Sequence, residues 1–207
     1  MNDTSTGSNP GTARRMAMAL IVATILLCGS TIIGAVRLVQ LFEDEKAAQK
    51  AYQDKLAAVM LIHESVMDLQ GYVLGGDTRL TSRISDESSE FNTLQRNHPG
   101  DKDFQKMDEA FHMWHQMLAQ PMMQKRHDFD TSALNFSEMG IAYIQGNAPM
   151  HERRLAEISA QTLTEAKDAI DAAHARISGT LYSSIGITVL LGLSAVALAL
   201  MIWKTET

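Results

Sequence analysis

Two stretches without a single Asp, Glu, Lys or Arg frame a polar middle in this 207-residue chain. The first covers residues 16–36 and the second residues 181–203, which is 21 and 23 residues. A bilayer's hydrocarbon core takes about 20 apolar residues of helix to cross. Helix is the form they must adopt, because lipid offers no partner to a bare backbone N–H or C=O. The pattern therefore predicts two transmembrane helices. Between them lies a segment of 144 residues, 37–180, with a tail at 1–15 and a short end at 204–207.

Within the middle segment the periodicity is helical. Leu38, Phe42, Leu56, Val59, Val66 and Val73 recur at helical spacing among charged residues, an amphipathic stripe. No breaker separates this stripe from the first apolar run, so one helix is expected from about Met16 to Leu74. Gly75-Gly76-Asp77 ends it, with both glycines free to take positive φ and Asp77 placed as the next N-cap. A second helix to about Asn97 turns Leu80, Ile84, Phe91 and Leu94 inward. After His98-Pro99-Gly100, Asp101 caps a third helix whose apolar face is Phe104, Met107, Phe111, Trp114 and Leu118. Pro121 falls inside that pattern and should kink it. A short helix over about 132–145 follows. Gly146 then ends one helix and Pro149 opens the last, which carries Leu155, Ile158, Thr162, Ala166, Ala169, Ala173 and Ile177 straight into the second apolar run. Alternating β-branched runs are missing outside the apolar spans. The fold class is all-α, an antiparallel four-helix bundle between two transmembrane helices.

Arg14 and Arg15 precede the first run and Lys204 follows the second, so the positive-inside rule puts both termini in the cytoplasm and residues 37–180 outside. Trp203 suits an interfacial anchor. A cleaved signal peptide fits worse, since its apolar core spans about 7–15 residues. The tail at 1–13, rich in Ser, Thr, Gly and Asn, is expected to be disordered. The lone Cys28 lies within the first run, which rules out an intrachain disulfide. Net charge is −6; the flanks hold +1 and 0, leaving −7 on the middle segment. Phosphate recognition rests on a basic surface, so nucleic acid is not an expected partner.

At residues 63–77 the chain reads HESVMDLQGYVLGGD. This stretch resembles the signature of the third class of CHASE domains, extracytoplasmic sensor modules held between two membrane helices in bacterial kinases, cyclases and chemoreceptors. Gly71, Tyr72, Leu74, Gly76 and Asp77 match an Arg-Gly-Tyr-Leu-Leu-Thr-Gly-Asp-like motif, while Gln70, Val73 and Gly75 depart from it. The order of breaks over 37–179 is similar as well. The resemblance implies a sensor domain that acts by helix packing, as a homodimer or with a separate membrane signalling partner. Read as residues alone, the motif is a fold-forming corner.

Other candidate chemistry is sparse. Asp108, His112 and His115 share one side of a helix near Met113, Met117, Met122 and Met123, in a chain with 13 Met. Imidazole and thioether ligands outside the cytoplasm suit copper or silver ions, although Met more often fills irregular cores. His63, near the first helix's seam, is a candidate pH switch because its ordinary pKa is about 6.5. Arg153 and Arg154 are candidates for holding a carboxylate ligand, with a solvated face as the alternative. Ser30 with Gly34, and Ala195 with Ala199, form small-xxx-small pairs for close membrane-helix packing, with a second copy as the expected partner. No nucleophile elbow, phosphate loop or metalloprotease helix is present. The expectation is a non-enzymatic sensory protein of the inner (plasma) membrane without cofactor, its partners being lipid, a second copy and a signalling protein. Because the chain runs only four residues past Trp203, it is expected either to be a fragment of a longer receptor or to act through that separate protein. The alternatives are an assembly subunit of a membrane complex and a periplasmic copper- or silver-binding protein.

Overall fold

The computed structural model describes residues 10–130 and 136–206. All regular structure among them is helical: α1 (Pro10–Gly75), α2 (Arg79–Asn97), α3 (Lys102–Trp114), a π-helical turn (His115–Ala119), α4 (Gln120–Asp130), α5 (Phe136–Gln145) and α6 (Ala148–Glu206). Two compact units are present. One combines the described residues up to Ala47 with those from Asp171 onward, and the other is Ala48–Ile170.

In the first unit, the start of α1 and the end of α6 run antiparallel. Gly34 lies against Ser184, where a Cβ would stand 3.2 Å from the serine Oγ. Eleven residues further along α1, Glu45 meets His174 at 3.4 Å, ten residues back on α6. Both helices carry stretches long and apolar enough to cross a membrane, and only 6 % and 0 % of their most apolar windows is buried. Large side chains such as Ile25, Ile33, Leu190 and Leu193 stand fully outward. The hydroxyls in these stretches turn back onto their own helices. Thr24 donates to Leu20 O, Thr31 to Leu27 O, Thr188 to Ser184 O and Ser194 to Leu190 O, all within 3.0 Å. An outward hydroxyl satisfied this way needs nothing from its surroundings.

The second unit has the core. Ser65 faces Glu87, Asp68 faces Arg83, and Gly71 faces Leu80, an antiparallel register between α1 and α2. Phe91 meets Phe111 and His98 stacks on Phe104, which sets α2 against α3 in the same sense. Trp114, Phe91, Phe104, Leu69, Ile84, Met107 and Leu118 are the large side chains lost from solvent, with Met139 of α5 and Leu155 of α6 closing the cluster. Each such side chain contributes about 1.5–3 kcal/mol by leaving water.

The α3 face is as its spacing predicts, and so are the inward residues of α2. Asp101 caps α3, accepting from the N–H of Asp103 at 2.8 Å and of Phe104 at 3.4 Å. Pro121 produces a π turn rather than a simple kink. Lacking an N–H, it cannot bond Met117 O, and the widened turn lets Gln120 N–H reach back five residues to His115 O.

Further expectations are corrected. Residues 10–15 are helical rather than tail, because proline suits a first helical position where its missing N–H costs nothing. On α1 the buried line is Ala58, Leu61, Ile62, Ser65, Leu69, Tyr72 and Val73; Val59 and Val66 pack against it half-buried as their spacing predicts, Leu56 is half-buried, and Phe42 is exposed. Of the Gly75-Gly76 pair, Gly76 alone takes positive φ, at 76°. At the last break Asn147 (φ 60°) makes the reversal, and α6 opens at Ala148 ahead of Pro149. Within α6 the expected inward positions are buried or half-buried except Ala169, which is exposed. The expected disorder of residues 1–9, the start of the short helix at Ser132 and the setting of the Trp203 side chain lie outside the described residues.

Candidate functional site

Contacts from α2, α4, α5 and α6 meet at the corner at residues 70–77. The chain needs a left-handed residue to leave α1, and Gly76 supplies it while its N–H bonds Tyr72 O at 2.8 Å. The absent Cβ has a second use. Arg126 of α4, almost fully buried, lays its guanidinium against Gly76, where a Cβ would come within 3.2 Å of Cζ and overlap an outer nitrogen. Arg126 Nη1 also donates to Val73 O at 3.4 Å, and the guanidinium covers the Phe129 ring at 4.9 Å. A cation thus sits at the carboxyl end of α1, the negative pole of that helix.

Around this centre the corner is tied to three other helices. Gly71 admits Leu80, whose Cδ1 would stand 2.8 Å from a Cβ placed there. Tyr72 and Val73 are buried, whereas Leu74 points to solvent. Asp77 accepts from Arg79 N–H at 3.1 Å and is gripped by the guanidinium at 2.9 and 2.7 Å. Those bonds lower its carboxyl to about 2. Gln70 donates to both Glu152 carboxylate oxygens at 3.2 Å, and the Tyr143 hydroxyl donates to the same carboxylate. Burial, followed by that carboxylate, pushes the Tyr143 phenol well above its ordinary range.

Below the corner, α1 and α2 bury a second polar group. Ser65 Oγ donates to Glu87 Oε2 at 2.9 Å, Arg83 Nε reaches Asp68 at 3.0 Å, and Arg83 Nη2 stands 3.8 Å from Glu87. Burial raises the Glu87 carboxyl, and Asp68 and Glu64 raise it further against the lowering effect of Ser65 and Arg83. Further down α1, the nearly buried Lys55 reaches Asp103 at 2.6 Å and Asp101 at 3.3 Å. Burial alone would lower its amine, but the two carboxylates leave it raised.

The other sequence candidates do not assemble into sites. His112 is exposed and pairs with Gln116 at 2.8 Å, while His115 and Asp108 are half-buried. Burial, with His112 adding to it, lowers the His115 imidazole. Among the described residues no group of three or more His, Cys, Asp or Glu side chains is placed to hold a metal. His63 is exposed, not at the seam, because the buried line runs through Ile62 and Ser65 on either side of it. Arg153 pairs with Glu157 at 2.8 Å and Arg154 points to Met113 Sδ, both in solvent and aimed at different neighbours. Ser30 and Gly34 line a groove with Ser184 and Thr188 of α6. Ala195 lines a groove with Ala19 and Ala23, and Ala199 is exposed. Arg126, Glu87 and Lys55 were not singled out by the sequence.

No family model matches this chain, and neither the curated proteins nor the solved structures searched contain a match to it.

Proposed function

We propose that the chain is a membrane-anchored sensory protein. In this reading residues 16–36 and 181–203 cross the inner membrane and the termini are cytoplasmic. The unit between them is an extracytoplasmic antiparallel four-helix bundle of the CHASE type, non-enzymatic, which signals by helix packing in a homodimer or to a separate membrane protein. The observation that carries it is the continuity of α1 and α6. Each is a single helix whose apolar part is almost wholly exposed and whose other part contributes to a packed core. A soluble helix buries its apolar stretch, so exposure on this scale calls for lipid. A cue acting on such a bundle must bind one packing better than another.

Topology is the first test. With Cys28→Ser removing the native thiol, Glu109→Cys should react with a membrane-impermeant maleimide in intact cells. Reaction only after permeabilisation would overturn the arrangement. Sensing is tested by spin labels on the two membrane helices. Their separation should change under the conditions that alter a cellular response, and a fixed separation under all of them would refute signalling by packing.

An assembly subunit is the second reading, and it has its own support: Met60 and Met67, seven residues apart on α1, are 54 % and 53 % exposed beside a packed core. Purification with a bound heterologous subunit covering those methionines would favour it over the sensor. Periplasmic copper binding, the third reading, would require measurable Cu(I) uptake by the purified chain.

A further inference from the structure

The first unit contains a groove of about 400 Å³ between α1 and α6, lined by Arg37, Gln40, Asp44, Arg176, Thr180 and Ser183. Its position along the chain is what matters. Arg37 is the first charged residue after the apolar run 16–36, and Thr180 is the last residue before the run 181–203. Polar lining therefore begins on both helices at the level where apolar surface ends. Tyr182, one turn from the groove and 78 % exposed, suits that same boundary.

The lining is chemically specific. Two arginines, one from each helix, line the same groove, and both are exposed. Asp44 offsets one charge, leaving a net +1. Hydroxyls and an amide lie between them, although the Ser183 hydroxyl proton is already given to Thr180 O at 3.0 Å. Gly179 leaves the wall open, since a Cβ there would meet nothing within 4 Å. Guanidiniums recognise phosphate oxygens in two-bond geometry.

We propose that this groove binds the phosphate of an anionic phospholipid, Arg37 and Arg176 clamping the headgroup while the acyl chains follow the exposed apolar faces of α1 and α6. The assignment rests on the membrane reading above. A free phosphate shares the headgroup's chemistry, but the groove's place at the end of both apolar runs selects the lipid.

The test uses the full-length chain in nanodiscs of phosphatidylcholine containing a minority of phosphatidylglycerol, with retained lipid counted by native mass spectrometry. Wild type should retain phosphatidylglycerol preferentially. Arg37→Gln and Arg176→Gln should each weaken retention about fivefold, and the double variant about 25-fold. Asp44→Asn should strengthen it, and Gly179→Leu, which fills the groove without removing charge, should weaken it. Inorganic phosphate at millimolar concentration should not compete; competition would overturn the lipid assignment. Equal retention by wild type and the double variant in well-formed nanodiscs would overturn the site alone. Failure of the chain to enter nanodiscs would overturn the membrane reading and the site with it.

Discussion

The buried Arg126 guanidinium, 50 positions away in sequence, lies where a Cβ on Gly76 would stand. A side chain at 76 would also have to hold φ at 76°, the left-handed region. Gly76→Ala should therefore destabilise the chain by more than the left-handed penalty alone, which is about 1–2 kcal/mol. Arg126→Ala relieves the overlap but not the backbone strain. A double-mutant cycle by denaturant unfolding should show Gly76→Ala costing less in the Arg126→Ala background. Strict additivity would mean that the two do not share that space.

Gln70 donates to both oxygens of Glu152. An arginine there would make the same two bonds with a charge added. Gln70→Arg is expected to stabilise the fold by about 0.5–1 kcal/mol, the scale of a half-exposed ion pair. The gain should vanish in a Glu152→Gln background. A destabilised Gln70→Arg would show that the corner has no room for the guanidinium.

How much of this was legible in the sequence depended on where the partners lie. The corner was readable because Gly-Gly-Asp is a local signal, yet two adjacent glycines look alike and only the arrival of Arg126 distinguishes Gly76. The α3 face was readable because its aromatic residues fall on one side. α1 was not, since alanine and methionine surround it and Met60 and Met67 are exposed while Ala58 and Leu69 are buried. Lys55, Glu87 and Arg126 resemble surface charges because their partners come from 48, 22 and 53 residues away. One signal was available: Lys55 and Ser65 share a helical line with Ala58 and Ile62, a polar residue at each end of a core stripe.

Lys55 links α1 to the cap of α3, because Asp101 both ends the turn and pairs with the amine. Removing the lysine leaves Asp101 without its counter-charge and Asp103 with only Lys106, 3.7 Å away. Lys55→Ala should cost about 2 kcal/mol, below the 3–5 of a fully buried pair because Asp101 is partly in solvent. Burial alone would raise the Asp101 carboxyl, but the Asp103 N–H and Lys55 leave it lowered. Its contribution is thus present above the ordinary 3.8 and lost as pH falls through the folded value. Unfolding curves at pH 2–5 should show that acid loss in wild type, and a smaller loss in Lys55→Ala.

Glu87 predicts the opposite slope. Its carboxyl is raised from 4.5, first by burial and then by Asp68 and Glu64 across the α1–α2 contact, with Ser65 and Arg83 opposing. The folded state therefore holds the proton more tightly than the unfolded chain does. The stabilisation is fully present below 4.5 and is lost as pH rises through the folded value, so this contact weakens toward neutrality. Glu87→Gln keeps an oxygen for the Ser65 hydroxyl and removes the charge. The variant should be more stable than wild type at pH 7.5, and the difference should shrink steadily toward pH 4.5. Denaturant midpoints measured across that range decide the matter, because a difference independent of pH would mean that Glu87 stays charged in the fold and that burial is not what controls it.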